Sequence, residues 1–366
     1  MAKLLMITGR GSAVDIASGK KGAFYNMLEE FHEYWERIDI ITPKVEKPVQ
    51  KIFRNVFIHS SPWPLLFHPI FFIRKALEIY RQQRFNLMTV QEFPPFYNGI
   101  AARIIWDKIK VPYILEIFHI PGYPKAGNLK EKIYKRLFYV FIKYDCKKAK
   151  AVRVMNEQVA EKLAGLGVPK SKIKLIPAIY VDLDIFKPLN LEKKYDLIFI
   201  GRLVKNKGAN LFLDAAKKLN CKALIVGDGP MKESLKFKVK SLKLEDNIVF
   251  YGWANDSEGI AKLLNESKIL VMPSYNEGGP RVVVEAMACG IPILATPVGI
   301  AADIVKSGQF GELINWDPED IAKKANQLLT NESMYKKYSQ AGLVTAGRFE
   351  KKSAIRNYAE KLKELI

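Results

Sequence analysis

The stretch PSYNEGGPRVVVEAMACGIPILAT, residues 273–296, carries two glutamates, Glu277 and Glu285, eight positions apart. Gly278, Gly279, Pro280 and Arg281 stand between them. After the apolar run KILVMPS, the residues YNEGG read as a strand-end turn whose glycines let a ligand approach the backbone closely. Pro280 fits the first position of a helix, where its missing N–H costs nothing, and Gly290 with Pro292 marks the end. Three valines disfavour a helix mildly, but a strand would leave Pro280 and Gly290 unexplained. On this reading the glycine amides and the helix N-terminus form an anion site. Carboxylates there would repel phosphate, so their partners are hydroxyls, and a sugar-bearing phosphate supplies both groups. The run is too apolar for an exposed loop. Neither glutamate is expected to be spent on an (i, i+4) ion pair of the kind a solvated helix surface carries.

Those groups need elements to hold them. Short β-branched runs alternate with amphipathic helical stretches along the chain, the pattern of open α/β sheets. In the first half KLLMITG, RIDIITP, NVFIHS, NLMTVQE, PYILEIF and AVRVMN read as buried parallel strands. Helical periodicity fills FYNMLEEFHEYW and EKIYKRLFYVFIKYDCKK. IPAIYVDLDIFKPLN and the charged LEKK form a linker near residues 177–195. The alternation then restarts, with YDLIFIGRL, CKALIVGDG, NIVFYG, KILVMPS and IPILAT as strands. Two doubly wound units in tandem put the carboxyl ends of both sheets near a shared cleft, and ligands bind at such strand ends and junctions. TGRGSAV after the first strand looks like a dinucleotide fingerprint, but Val14 stands where a small residue must let helix and strand approach. SGKKG lacks the Ser/Thr after its lysine and the upstream glycine of a P-loop.

At 366 residues the chain exceeds what a single core supports. Its net charge of +20 is uneven: 30 Lys/Arg against 17 Asp/Glu in residues 1–185, and 28 against 21 in 186–366. Such a surplus points to anionic partners. Cys146, Cys221 and Cys289 are too scattered for a disulfide framework or a metal site, which favours a reducing cytosol. KLLMITGRG does not read as a secretory leader. PLLFHPIFFI and RLFYVFI fall far short of the ~20 residues that span a bilayer. Residues 60–75 and 131–150 mix cations with large apolar side chains, as interfacial segments do. A core-packed helix with a wet basic back fits them equally. The expected location is the cytosol, and on the interfacial reading also the inner face of the cell membrane, held peripherally at an anionic surface. Without a helix-turn-helix, RNA-recognition or zinc module, nothing favours nucleic acid as a partner.

IGRLVKNKG at 200–208, LIVGDGPMKESL at 224–235, FYGW at 250–253 and VMPSYNEGGPRVVVEAMACGIPILATPVGI at 271–300 resemble, in order and spacing, the retaining glycosyltransferases of family four. The likeness includes their Glu-x7-Glu signature, covers most of the second half and is looser in the first. It implies the GT-B fold, two Rossmann-like doubly wound parallel-sheet domains facing a central cleft. Residues 1–185 would form the acceptor-side domain and 186–345 the nucleotide-sugar domain, with a last helix, 346–366, returning to the first. Arg202 and Lys207 match the basic pair that holds the donor diphosphate, and fixed cations in a dry cleft do neutralise a leaving phosphate. Gly278, Gly279 and the amides after Pro280 would contact the donor sugar and phosphate. Glu277 would hydrogen-bond the sugar near the reacting carbon, and Glu285 the ribose hydroxyls. Arg281 departs from the apolar residue common there, and either adds a phosphate contact or faces water. Gly227 in GDGP is a plain turn or a base contact, and Trp253 either covers the base or belongs to the core. His119 in EIFHIPGY resembles the cleft histidine beside the anomeric carbon. Gly22 in SGKKGAFYNML, with Gly19 as fallback, resembles the first-domain glycine loop.

The activity implied is transfer of a sugar from a UDP- or GDP-linked donor to an acceptor hydroxyl on a lipid, glycan or small molecule, with retention. Such a hexosyltransferase uses no cofactor and no metal, and no Asp-x-Asp pair of the metal-binding kind is expected in the chain. The transition state would be oxocarbenium-like. Front-face departure and attack would depend on domain closure, which brings His119 and the glycine loop against the donor. The alternatives are an epimerase or phosphorylase on the same scaffold, and a non-catalytic sugar-nucleotide-binding subunit.

Overall fold

Leu4, Leu5, Met6 and Ile7 are all buried, and a run apolar on both faces belongs in the middle of a parallel sheet covered on each side. In the computed structural model, which describes residues 1–9, 12–254, 256–308 and 310–366, this run is β1 (Lys3–Ile7). Its sheet adds β2 (Arg37–Thr42), β3 (Lys51–Ile52), β4 (Val56–Ser60), β5 (Leu87–Gln91), β6 (Tyr113–Ile117), β7 (Ala151–Val154) and β8 (Ile173–Leu175). Their order is β3-β4-β2-β1-β5-β6-β7-β8, parallel except for the pairing of β3 with β4. A second sheet holds β9 (Tyr195–Ile200), β10 (Ala223–Val226), β11 (Ile248–Gly252), β12 (Ser267–Met272), β13 (Ile293–Ala295) and β14 (Gly311–Leu313). Its order is β11-β10-β9-β12-β13-β14. The chain reverses direction across each sheet at β1 and at β9, and strands diverging from such a switch point leave a crevice at their carboxyl ends.

The strands expected from the sequence are present, and β3, β8 and β14 are additions. Arg10 and Gly11 of TGRGSAV lie outside the described residues. No helix among the described residues is long and apolar enough to cross a membrane.

Between the sheets, residues 182–194 hold neither helix nor strand. At the chain's end the helix Lys351–Lys363 lies against the helix Ala23–Phe31. Phe31 and Tyr358 stack with centroids 5.0 Å apart. The Tyr358 hydroxyl reaches the buried Arg153–Glu116 ion pair, donating to Glu116 at 3.2 Å and accepting from Arg153 at 3.1 Å. Buried charges are tolerable only when paired and hydrogen-bonded, so this helix completes a network rooted in β6 and β7.

Side chains also join the two halves near the strand ends. Asn156 caps the helix Glu157–Gly165 by accepting from Val159 N at 2.9 Å, while its amide donates to the Gly278 carbonyl at 2.9 Å. Gln158 donates to Pro297 O at 3.1 Å. Asn276 donates to Glu131 at 2.9 Å and to Lys125 O at 3.2 Å. Each bond fixes YNEGG, or the loop beside it, against the first sheet.

Candidate active site

Strand ends of the second sheet line a cleft of about 800 Å³, which Lys21, Gly22, Ala23 and Asn26, around the start of the helix Ala23–Phe31, face from the first half. β9 runs into Gly201 and Arg202, and the turn Lys205–Lys207 brings Lys207 onto the same wall. β10 is followed by Gly227, at φ 142°, where a Cβ would come within 2.0 Å of the Gly201 carbonyl oxygen. Only glycine lets the two strand ends approach this closely. After β11 comes Trp253, 62% exposed at the cleft wall. Arg281 and Glu285 come from the helix Arg281–Ala288, and Gly22, capping the helix Ala23–Phe31, faces them from the first half.

Glu277 sits beside this wall. Its Oε1 accepts from the Lys207 ammonium and from the Ser274 hydroxyl, the latter at 2.9 Å. Gly278 meets the loop after β6: a Cβ on it would lie 2.3 Å from Phe118 O and 3.6 Å from the His119 Cβ. His119 is exposed, yet crowded by protein, and that crowding holds its pKa below the ordinary value. Glu277 opposes the shift, while Lys207 and Arg202 add to it. The imidazole is therefore neutral at neutral pH and sits in the field of three of the groups singled out from sequence. Glu285, buried, accepts from Arg281 Nη2 at 2.9 Å. The Arg281 guanidinium carbon lies 5.3 Å from the Tyr180 ring centroid. Burial disfavours the Arg281 charge, but Glu285 and Tyr180 outweigh it and raise its pKa.

The pattern of the family described as Glycosyl transferases group 1 matches residues 181–344, and that of Glycosyltransferase Family 4 matches residues 24–179. The chain belongs to glycosyltransferase family 4. It is 24% identical over 335 residues to the N-acetyl-alpha-D-glucosaminyl L-malate synthase of Bacillus anthracis, covering 85% of this chain and 83% of that one. Sucrose-phosphate synthase from Thermosynechococcus elongatus superposes with a TM-score of 0.85 at 19% identity, over 100% of this chain and 99% of its own. Anabaena HepE in complex with UDP-glucose superposes at 0.77 with 17% identity, over 100% of both chains. These likenesses show a GT-B fold, and the chain is a nucleotide-sugar-dependent glycosyltransferase of a retaining family.

In this family 4 glycosyltransferase the cleft gathers Gly22, Arg202, Lys207, Gly227, Trp253, Arg281 and Glu285. Gly278, Gly279 and Pro280 stand behind its lining. Gly278 packs on Phe118, and a Cβ on Gly279 would come within 2.4 Å of Ile179 Cδ1. Pro280 is the helix N-cap rather than its first residue, a shift of one position. Trp253 is at the cleft wall, not in the core.

Two expectations fail. Glu285 does have an (i, i+4) partner, because Arg281 opens the helix one turn before it. Glu277, also four residues from Arg281, precedes the helix and pairs with Lys207 instead. Arg281 thus neither faces only water nor is held solely for phosphate. The linker also contains an Asp-x-Asp triplet, Asp182-Leu183-Asp184. Asp182 accepts from Asp184 N at 3.2 Å and lies 3.7 Å from Lys351, so it closes its own turn. Among the described residues no cluster of three or more His, Cys, Asp or Glu side chains could hold a metal ion.

The sequence reading missed Lys21, Asn26, Glu258 and Tyr180. The first three line the cleft, and the ring of the fourth supports Arg281. Lys21 stands inside the quoted SGKKG and could have been found there. Tyr180 sits in the linker, where only the fold reveals what it touches.

Proposed function

We propose that this chain moves a sugar from a nucleotide-sugar donor to an acceptor hydroxyl with retention, Arg202 and Lys207 holding the diphosphate. The supporting observation is the convergence of strand-end cations, glycines and Glu285 on one cleft, with Glu277 paired to the cleft-lining Lys207 and Gly278 packed on the loop that carries His119. As the donor bond lengthens, charge builds on the diphosphate, and fixed cations stabilise it more than they stabilise the ground state. Glu277, gripped by Lys207 and Ser274, is a hydrogen-bond acceptor for the sugar rather than a mobile nucleophile. The acceptor attacks from the face the diphosphate leaves, giving its proton to the departing phosphate. Neutral His119 offers a ring nitrogen to a sugar hydroxyl or to the acceptor. Glu285 takes ribose hydroxyls with the oxygen that Arg281 does not hold. UDP-glucose in the similarly folded HepE supports a UDP-linked hexose over a GDP-linked one.

Purified protein should slowly hydrolyse its preferred nucleotide-sugar, identified by thermal shift against UDP, GDP and ADP sugars. Glu277→Ala should lower that turnover by at least about 100-fold while the nucleotide still raises the melting point. Unchanged turnover would refute the assigned role of Glu277. Saturable binding without turnover would instead mark a binding subunit, and release of an isomerised donor an epimerase.

A further inference from the structure

The helix Leu129–Cys146 has two apolar faces. One, with Phe138, Ile142 and Cys146, is buried. The other is exposed: Leu129 to 72%, Ile133 to 50%, Val140 to 70% and Tyr144 to 47%. Exposed Lys132, Arg136, Lys143 and Lys147 are interleaved with them. Spacings of three and four residues place all eight side chains on one stripe. The acids of this helix are elsewhere: Glu131 accepts from Gly127 N and Asn276 Nδ2, and Asp145 is buried. A helix packed on a core turns polar residues to water, and nothing in that packing calls for a second apolar stripe.

Neighbouring helices continue the surface. Helix Asn98–Ile109 lies alongside, with the Arg103 guanidinium 4.4 Å from the Tyr144 ring centroid and Ile104 exposed to 41%. Beyond it, at the start of helix His68–Gln83, Leu66, Phe67 and Ile70 are exposed to 74%, 48% and 51%. Each helix of this face begins where the preceding strand ends, so Leu66, Phe67, Leu129 and Ile133 lie toward the end of the sheet that opens on the cleft.

We infer that this three-helix face docks on an anionic lipid bilayer, its apolar side chains entering the headgroup layer and its cations meeting lipid phosphates. Charge chooses the occupant. A second copy of the chain would set the same cations against each other across a two-fold axis, and a nucleic acid has no use for Leu129, Ile133 and Val140. A bilayer accepts both parts of the stripe. The docking itself is independent of the proposed reaction. Only its corollary, that a lipid-borne hydroxyl enters the cleft from this side, rests on that reading.

The full chain should co-sediment at low salt with phosphatidylcholine vesicles containing phosphatidylglycerol, and less so as salt rises. Ile133→Ser with Val140→Ser, and separately Lys132→Glu with Arg136→Glu, should each lower partitioning at least about tenfold, taking ~1 kcal/mol per surface cation and ~0.8 kcal/mol per buried CH₂. These positions are exposed, and unchanged melting points confirm folding. A second-half control, Lys236→Glu with Lys240→Glu, should bind as the parent does. The inference is overturned by no sedimentation at low salt, by equal loss in the control, by capture of duplex DNA while vesicles are ignored, or by a solution dimer that the stripe variants split. Donor hydrolysis measured without vesicles is untouched by any of these outcomes, so the two readings fail separately.

Discussion

Replacing Gly278 with alanine perturbs the seam where the glutamate turn meets the histidine loop. The new Cβ would stand 2.3 Å from Phe118 O and 2.9 Å from Phe118 C, against an ordinary contact of 3.4 Å or more. The offending atoms are backbone, so no rotamer relieves them. Nor can the turn recoil freely: Gly278 O accepts from Asn156 Nδ2 at 2.9 Å and from Ile300 N at 3.2 Å. Relief requires the halves to part by roughly 1 Å beside His119 and Glu277, and a misplacement of about 1 Å costs about 100-fold in rate. Nucleotide affinity should change far less, since Arg202, Lys207 and Gly227 all follow strands of the second sheet. The assay is donor turnover under saturation beside nucleotide affinity from thermal shift. A Gly278→Ala protein with parental turnover would show that catalysis does not use the seam as built, and a loss confined to nucleotide affinity would refute the reasoning equally.

Two further predictions concern titration. His119 should titrate below its ordinary range when followed by NMR; Glu277→Gln removes a carboxylate that holds its pKa up and should lower it further, whereas Arg202→Ala should raise it. A titration near 6.5 that neither change moves would contradict the site geometry. Separately, Glu92 and Asp145 are buried together over Gly99, whose Cβ would touch both, and neither Asp145 carboxyl oxygen finds a hydrogen-bond donor among the described residues. Burial raises Glu92 to about 8, with the Asp145 charge adding to it, and burial raises Asp145 to about 7. The folded chain therefore binds more protons than the unfolded one between the ordinary carboxyl range and pH 8, and its stability falls as pH rises through that window. Asp145→Asn should melt higher than the parent at pH 8, with the gap closing toward pH 4, and parallel melting curves would refute the pairing.

Legibility followed burial. Strands such as β1 and β10 are apolar on both faces because helices cover them on both sides, so they stand out as uninterrupted runs. β3, β8 and β14 did not: Lys51–Ile52 is a two-residue edge, Lys174 centres β8, and Glu312 centres β14. The glutamate pair and the glycine turn were readable because few residue types tolerate such a turn. The Arg281–Glu285 pair was readable: Arg281 is four residues from each glutamate, but a helix opening at either Pro280 or Arg281 contains Glu285 and leaves Glu277 outside it. The bond from Asn156 to Gly278 spans 122 positions; sequence could offer Asn156 as a helix cap but not as a brace.

That brace bears on how the donor is gripped. Lys207 is paired with Glu277 and Arg281 with Glu285, so two of the cations at the cleft already carry carboxylates from the same chain. A diphosphate entering there does not meet bare charge. On the proposed reading it would share Lys207, whose ammonium has three protons to donate, with a glutamate that Ser274 keeps in place. The eight-residue spacing has a physical sense in this arrangement. Glu277 before the helix and Glu285 one turn inside it are each held by a cation from a different element, one from the turn after β9 and one from the helix itself. Either glutamate could be kept near the cleft by its own partner alone. The seam at Gly278 packs the glutamate turn directly on the loop that carries His119, and for that reason the alanine there tests the relative placement of the two halves, which the loss of either carboxylate does not.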